Sequence, residues 1–238
     1  MNGPLTQLAN HYHSDKGTVF LDAHGYTRVY DALFAPLRHT PIHLLEIGLL
    51  HGLVQTRSGV SQFSDCPSLR MWRDYFPLAT LYGLDIADFS AVQLPGTEII
   101  RGDQGQRSDL AKLGELLARH GSGGFDVIID DGSHASHHQQ ISLATLFPLL
   151  KPGGLYIIED LHYQPVELER PGITKTRALL QYLRHRQGTI QAAISQQEFD
   201  YLLEHTAELG FFDSLTSNYP ITQTADALAV LVKRAPTP

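Results

Sequence analysis

Asp130, Asp131 and His134 crowd the end of one short stretch, FDVIIDDGSHASHHQQ, residues 125–140. Val127, Ile128 and Ile129 before them form an apolar β-branched run that reads as a buried strand. Adjacent carboxylates repel, and desolvating them is costly unless something positive lies near. A metal ion, a basic side chain or open water at a loop would each answer. Glu159, Asp160 and His162 close a second apolar run, LYIIEDLH. If the two strands are neighbours, Asp131, Glu159 and Asp160 offer oxygen donors that suit a hard cation such as Mg2+. Such an ion can bind a substrate hydroxyl and lower its pKa near neutral pH. His134 is then placed to take the hydroxyl proton, since an unperturbed imidazole titrates near pH ~6.5. From spacing alone, a helix-end hydrogen bond or a solvated loop position explains His134 equally well. His134, His137 and His138 together form a lesser, zinc-like alternative. His162 either lines the pocket or is exposed.

The other apolar runs repeat the pattern. LLEIG carries Glu46 and Gly48, YGLDI carries Asp85 and RGDQ carries Asp103. Any one such acid is equally explained as the N-cap of the next helix. All of them together point polar groups at one rim, where open α/β sheets bind ligands. EIGLLHG is a strand-to-helix turn with glycine, but not the G-x-G-x-x-G dinucleotide fingerprint. Asp85 can accept hydrogen bonds from two ribose hydroxyls, and Asp103 can receive an adenine amino group. A nucleoside cofactor without a pyrophosphate does not need the full glycine pattern, and S-adenosylmethionine is such a molecule.

The elements that must position these groups alternate. Residues 5–38 read as helical with a loop between, Tyr26, Val29, Tyr30, Leu33, Phe34 and Leu37 falling at helical spacing. Strands are expected at 42–48, 80–86, 97–103, 125–130 and 155–161, and a Gly/Ser-rich loop at 49–67. Helices are expected at 68–77, 108–120 with Ser108 as N-cap, 136–150 disturbed by Pro148, 174–187 and 196–209. GFFDSLTSNY and DALAVLVKR close the chain as two strands without a helix between them. Apolar strands alternating with helices imply a parallel sheet covered on both faces, with one antiparallel strand added at the end. One domain is expected over 1–238, with a helical extension over 1–40 and a catalytic core over 41–238. Cys66 has no partner motif, and Trp72 with its aromatic neighbours reads as core.

A chain of 238 residues, 42% hydrophobic and 18% charged, can bury a sizeable core. A net charge of −7 disfavours a nucleic-acid or anionic membrane partner. One cysteine allows no internal disulfide, which suits a reducing cytoplasm. The N-terminus lacks the apolar core of a signal peptide, and no segment has the ~20 apolar residues of a membrane helix. A soluble cytoplasmic protein is expected.

Together SDKGT, HGYTRVYDALFAPLR, LLEIG, SLRMWRDYFP, YGLDI, GDQ, FDVIIDDGSH and LFPLLKPGGLYIIEDL cover most of the chain. They resemble the class I S-adenosylmethionine-dependent O-methyltransferases that act on sugars, the group containing the mycinamicin and tylosin deoxysugar methyltransferases. LLEIG is generic to the superfamily, whereas IDDGSH followed by KPGGLYIIEDL is specific. The resemblance implies a Rossmann-like, mostly parallel seven-stranded sheet with an antiparallel last strand. It implies Mg2+-dependent methylation of a saccharide hydroxyl, with S-adenosylmethionine as methyl donor. Asp131, Glu159 and Asp160 match the metal-binding acids, and His134 the general base. Glu46, Gly48, Asp85, Asp103, Gln104 and Asp130 match the cofactor region, and Ser68 a position near its methionine end. Lys16 and Tyr26 belong to an N-terminal motif that packs over the cofactor. The chain departs from the family at Leu49–Leu50–His51 and Asp65–Cys66–Pro67, where members carry more glycine.

Two rival readings use the same residues. A metal-dependent hydrolase would cleave a phosphate or ester without S-adenosylmethionine. A non-catalytic module would bind the cofactor without turnover. A homo-oligomer, a dimer first, is expected from the amphipathic N-terminal helices. The acceptor is a small molecule or oligosaccharide that no residue names.

Overall fold

The structure, a computed structural model, describes residues 2–21, 23–49, 62–213 and 227–236. Seven strands form one sheet in the order β3-β2-β1-β4-β5-β7-β6. They are β1 His43–Ile47, β2 Thr80–Asp85, β3 Thr97–Arg101, β4 Phe125–Asp130, β5 Leu150–Ile158, β6 Thr206–Asp213 and β7 Ala227–Lys233. The first five pair in parallel, and β7 runs antiparallel to both β5 and β6. The chain steps outward from β1 to β3, then returns to the other side of β1 with β4. That reversal opens a crevice at the carboxyl ends of β1 and β4, where a sheet of this kind takes ligands.

Side chains alternate across the strands and feed two cores. Leu45, Ile47, Leu84, Ile128 and Ile158 face helices α4 (Arg107–Arg119), α5 (Ser136–Leu146), α6 (Thr176–His185) and α7 (Gln196–His205). Leu44, Leu81, Val127, Ile129 and Ile157 face α1 (Pro4–Tyr12), α2 (Thr27–Phe34) and α3 (Pro67–Tyr75). The N-terminal helices are thus one of the two layers over the sheet. Trp72 of α3 lies 5.8 Å from the Tyr30 ring and 5.9 Å from the Phe34 ring, both on α2. The first turn of α1 has no side-chain cap of its own; Leu5 N–H donates instead to Asp31 of α2 at 2.9 Å.

Several boundaries differ from the sequence reading. Helix α4 begins at Arg107, and Gln106 rather than Ser108 is its N-cap residue. Asp109 in its first turn accepts the Asp103 N–H at 2.9 Å. The helix expected over 196–209 stops at His205, where β-branched Thr206 starts β6. Its start follows the sequence: Ser195 and Glu198 form a reciprocal capping box. Pro148 does end its helix, in a 3₁₀ turn over Phe147–Leu149, but β5 already begins at Leu150 and carries KPGG within it. Of the expected loop 49–67, residues 50–61 lie outside the described residues, as do 214–219 of the penultimate strand.

Candidate active site

Backbone bonds beyond the strand ends bring the acids together. Gly48 N–H donates to Leu84 carbonyl oxygen at 2.9 Å, Asp131 N–H to Ile47 at 2.9 Å and Glu159 N–H to Asp130 at 3.0 Å. The ladder therefore runs one step past β1, β4 and β5, and Glu46, Asp131 and Glu159 line one crevice. Gly48 has φ +81° there, and a Cβ on it would strike the Asp131 carbonyl.

Asp131, His134 and Asp160 each offer a donor atom, all within 4.8 Å of one another. Among the described residues this is the one such group of three or more histidine, cysteine or acidic side chains. His134 has φ +57° and Asp160 φ +53°, left-handed conformations that non-glycine residues adopt at a cost. His134 Nε2 lies 3.7 Å from Asp160 Oδ2, and its buried Nδ1 has no hydrogen-bond partner among the described residues. The Tyr163 ring stands edge-on to His134 at 5.7 Å.

The loop between α1 and α2 closes over this crevice. Lys16 is 1% exposed and its Nζ meets three acids: Asp131, Glu159 at 3.0 Å and Glu46 at 3.4 Å. Tyr30 donates to Glu159 Oε1 at 2.5 Å, and Tyr26 to Asp160 Oδ1 at 2.5 Å. His24 Nδ1 lies 3.8 Å from the same Asp160 oxygen. Sequence reasoning missed His24 as a site residue and read Tyr30 only as one of the residues at helical spacing. The signal available was the need of four acids, two buried and two partly buried, for donors.

Charge is unevenly answered. Burial raises the pKa of Glu159 well above the usual carboxylate range, and the Asp131 carboxylate adds to it, outweighing Lys16 and Tyr30. Burial also raises that of Asp131, against the pull of Lys16. Asp160 goes the other way: burial would raise its pKa, but His24, His134 and the Tyr26 hydroxyl hold it low. Burial pushes Glu46 up to about 7, although Lys16 and Ser68, which donates to it at 2.7 Å, oppose this. Acids this short of positive charge, beside an orphaned imidazole nitrogen, fit a divalent cation. The donor group differs from the expected one: His134 joins Asp131 and Asp160, while Glu159 is engaged by Lys16 and Tyr30.

On the other side of the crevice, Asp85 accepts Leu49 N–H at 2.8 Å and Ala87 N–H at 2.7 Å. These two bonds fix the carboxylate at the carboxyl end of β2. Asp103 accepts Gly105 N–H at 2.8 Å beyond β3. Asp130 and Gln104 turn toward each other, at 2.5 Å, and Gln104 Oε1 accepts Ser133 N–H at 3.0 Å. With Ser142 and Tyr156 they form a buried network behind the IDDGSH turn. Burial first, against the Ser142 hydrogen bond, pushes Asp130 up to about 6. Cys66 is buried, donates to Leu49 carbonyl oxygen at 3.2 Å, and has its thiol pushed up to about 12 by burial. It is a structural thiol, not a nucleophile. His138 bonds Ser133 Oγ at 2.8 Å through Nδ1, away from His134, so the three histidines form no zinc site.

No family model matches the chain. Several curated proteins are similar to it. The 8-demethyl-8-alpha-L-rhamnosyl tetracenomycin-C 2'-O-methyltransferase of Streptomyces olivaceus is 39% identical over 157 residues, 66% of this chain and 37% of that protein. The mycinamicin VI 2''-O-methyltransferase of Micromonospora griseorubida is 40% identical over 157 residues, 66% of this chain and 36% of its own. The demethylmacrocin O-methyltransferase of Streptomyces fradiae is 39% identical over the same shares. The chain therefore matches little more than a third of the length of these curated relatives. Among solved structures, the MycE methyltransferase of the mycinamycin pathway, in complex with Mg, SAH and mycinamycin VI, is similar with a TM-score of 0.68 and 27% identity. That likeness covers 100% of this chain and 57% of MycE. In its seven-stranded class I methyltransferase sheet, and over the stretches compared, the chain is thus similar to O-methyltransferases that act on sugar-bearing natural products.

Proposed function

We propose that the protein transfers a methyl group from S-adenosylmethionine to a hydroxyl of a saccharide, assisted by Mg2+. The observation that carries the reading is the Asp131–His134–Asp160 group, assembled at the switch point of a sheet whose neighbouring strands end in Glu46 and Asp85. Asp85, fixed by two backbone N–H groups, is the acceptor for the ribose hydroxyls. Glu46 and Ser68 flank the place for the methionine end. Asp131 and Asp160 would hold the cation, with the imidazole of His134 beside it rather than on it. When bound, the cation supplies positive charge that lowers the pKa of a sugar hydroxyl. His134 accepts the hydroxyl proton, and Asp160 at 3.7 Å steadies the imidazolium that results. The tight enclosure by the 13–26 loop contributes by orientation and by excluding water.

No helix among the described residues is long and apolar enough to cross a membrane. A cytoplasmic site of action accompanies the proposal, supported by the lone, buried thiol of Cys66. So does self-association as a dimer, to be read by light scattering on a sizing column.

The decisive test is calorimetric titration of S-adenosylhomocysteine, with and without Mg2+, on wild type and Asp85→Ala, followed by methyl transfer to a panel of deoxysugar glycosides. Binding to wild type that Asp85→Ala abolishes, with chelator-sensitive methylation of a glycoside, is expected. No binding to wild type under either condition would overturn the proposal; metal-dependent ester or phosphate cleavage would then favour the hydrolase.

A further inference from the structure

Lys16 touches both halves of the crevice. Its loop is held by backbone bonds that make the lysine's position stiff: His24 N–H to Asp15 at 2.9 Å, Gly25 N–H to Gly17 at 2.8 Å and Thr27 N–H to the Lys16 carbonyl at 3.1 Å. Thr18 N–H is tied back to Asn10 at 2.8 Å. The ammonium so placed meets Glu46, on the side assigned to the methyl donor, and Asp131 and Glu159, on the side assigned to the cation. A fully buried ammonium among three carboxylates has the charge and the oxygen-rich surroundings of a bound cation.

We infer that Lys16 is a built-in counter-cation of the carboxylate crevice, a positioning residue whose ammonium holds the cluster together and limits how tightly a divalent cation binds beside it. The inference rests on the reading of Asp131 and Asp160 as a cation site beside His134. Glu159, bound by Lys16 and Tyr30, serves the lysine rather than the metal in this arrangement. An ammonium sharing the Asp131 carboxylate with an incoming ion repels it and competes for the same group. The consequence is a crevice that keeps its shape without metal and exchanges metal readily, with the α1–α2 loop latched to both sides by a single side chain.

The test is Mg2+ titration of wild type, Lys16→Gln and Lys16→Arg, read by calorimetry and by thermal unfolding. Lys16→Gln is expected to melt lower than wild type without metal. It is also expected to bind Mg2+ about tenfold or more tighter, the removed charge lying within a few ångströms of the ion. Mg2+ should raise its melting temperature further than that of wild type, and Lys16→Arg should resemble wild type in both readouts. Should Lys16→Gln fail to fold, Lys16→Gln/Glu159→Gln, which deletes one ammonium with one carboxylate, is expected to recover the fold. Equal or weaker Mg2+ binding by Lys16→Gln, with binding retained in wild type, overturns the role of Lys16 and leaves the proposed function standing. A double variant as unfolded as the single also overturns it. Absence of Mg2+ binding from every variant and wild type overturns the inference together with the cation site.

Discussion

A carboxylate removed from water must be answered by donors or by charge, and residue by residue the crevice answers its acids differently. Asp160 has two imidazoles and a phenol around it and stays ionised; Asp131 shares one ammonium with two other acids. Asp131 is therefore the acid that most needs a cation. Asp131→Asn should lower turnover by at least ~10³-fold, while S-adenosylhomocysteine affinity changes by less than ~3-fold, because Asp85 lies on another strand. Turnover retained at saturating substrate would remove the metal-assisted mechanism. His134→Gln keeps a polar side chain near Asp160 but cannot take a proton, so a kcat loss of ~10²–10⁴-fold is expected. A second histidine reports on stability instead. Burial first, then His138 and Arg170, depress the His137 pKa to about 4. A depressed imidazole contributes stability that is fully present above its unfolded pKa of ~6.5 and lost as pH falls toward the folded value. Denaturant unfolding should show the stability difference between wild type and His137→Gln shifting against wild type as pH falls from 6.5 to 4, a difference that cancels the opposite pull of the raised carboxyls Glu46 and Asp130.

At the scale of the element, the turns after β1, β4 and β5 do the positioning, and a single glycine shows how closely they meet. Gly48→Ala combines a φ of +81° with a Cβ driven into the Asp131 carbonyl, and its neighbour there is backbone, which cannot swing aside. A cost of ~2 kcal/mol or more in chemical denaturation is expected, with weakened Mg2+ binding because Asp131 moves. Stability within ~0.5 kcal/mol of wild type would show that the two turns have slack. Strands β1, β2, β4 and the end of β5 were legible in the sequence because they are buried on both faces, which makes continuous apolar runs such as VII and YII. The acids at their ends were legible because nothing in a strand's own chemistry calls for them. The Lys16 contacts were not legible, since Glu159 lies 143 residues from Lys16 and nothing local records the meeting. Nor was the end of α7: EFDYLLEHTAEL keeps helical spacing through residues that pairing with β7 takes into a strand. Tertiary pairing overrode a local pattern there, as it does where a β-branched residue meets an available edge.

For the molecule as a whole, the question is whether the N-terminal helices are an appendage or half of the fold. Phe34 sits between Trp72 at 5.9 Å and Phe76 at 5.7 Å, while Leu5, Tyr30, Trp72, Leu44, Ile129 and Ile157 belong to one continuous apolar cluster. Removing α1 and α2 would strip one face of the central strands, whose inner residues are 0% exposed at Leu44, Val127 and Ile157. The layer also delivers Lys16, Tyr26 and Tyr30 to the buried acids, so its loss leaves those charges unanswered as well as the sheet uncovered. We therefore expect one cooperative transition for the whole chain rather than a stable core with a detachable extension. The chain has a single tryptophan, Trp72, which lies in the N-terminal layer. Its fluorescence reports that layer, and far-UV dichroism reports the sheet and the α4–α7 layer together. The two urea transitions should coincide, and Phe34→Ala should shift both by ~3–5 kcal/mol of unfolding free energy. Separate midpoints, or a shift confined to fluorescence, would make residues 1–40 an independent unit. A chain starting at residue 41 should then fold, and its failure to do so is the expected result, because the face it exposes is as apolar as the one it keeps covered.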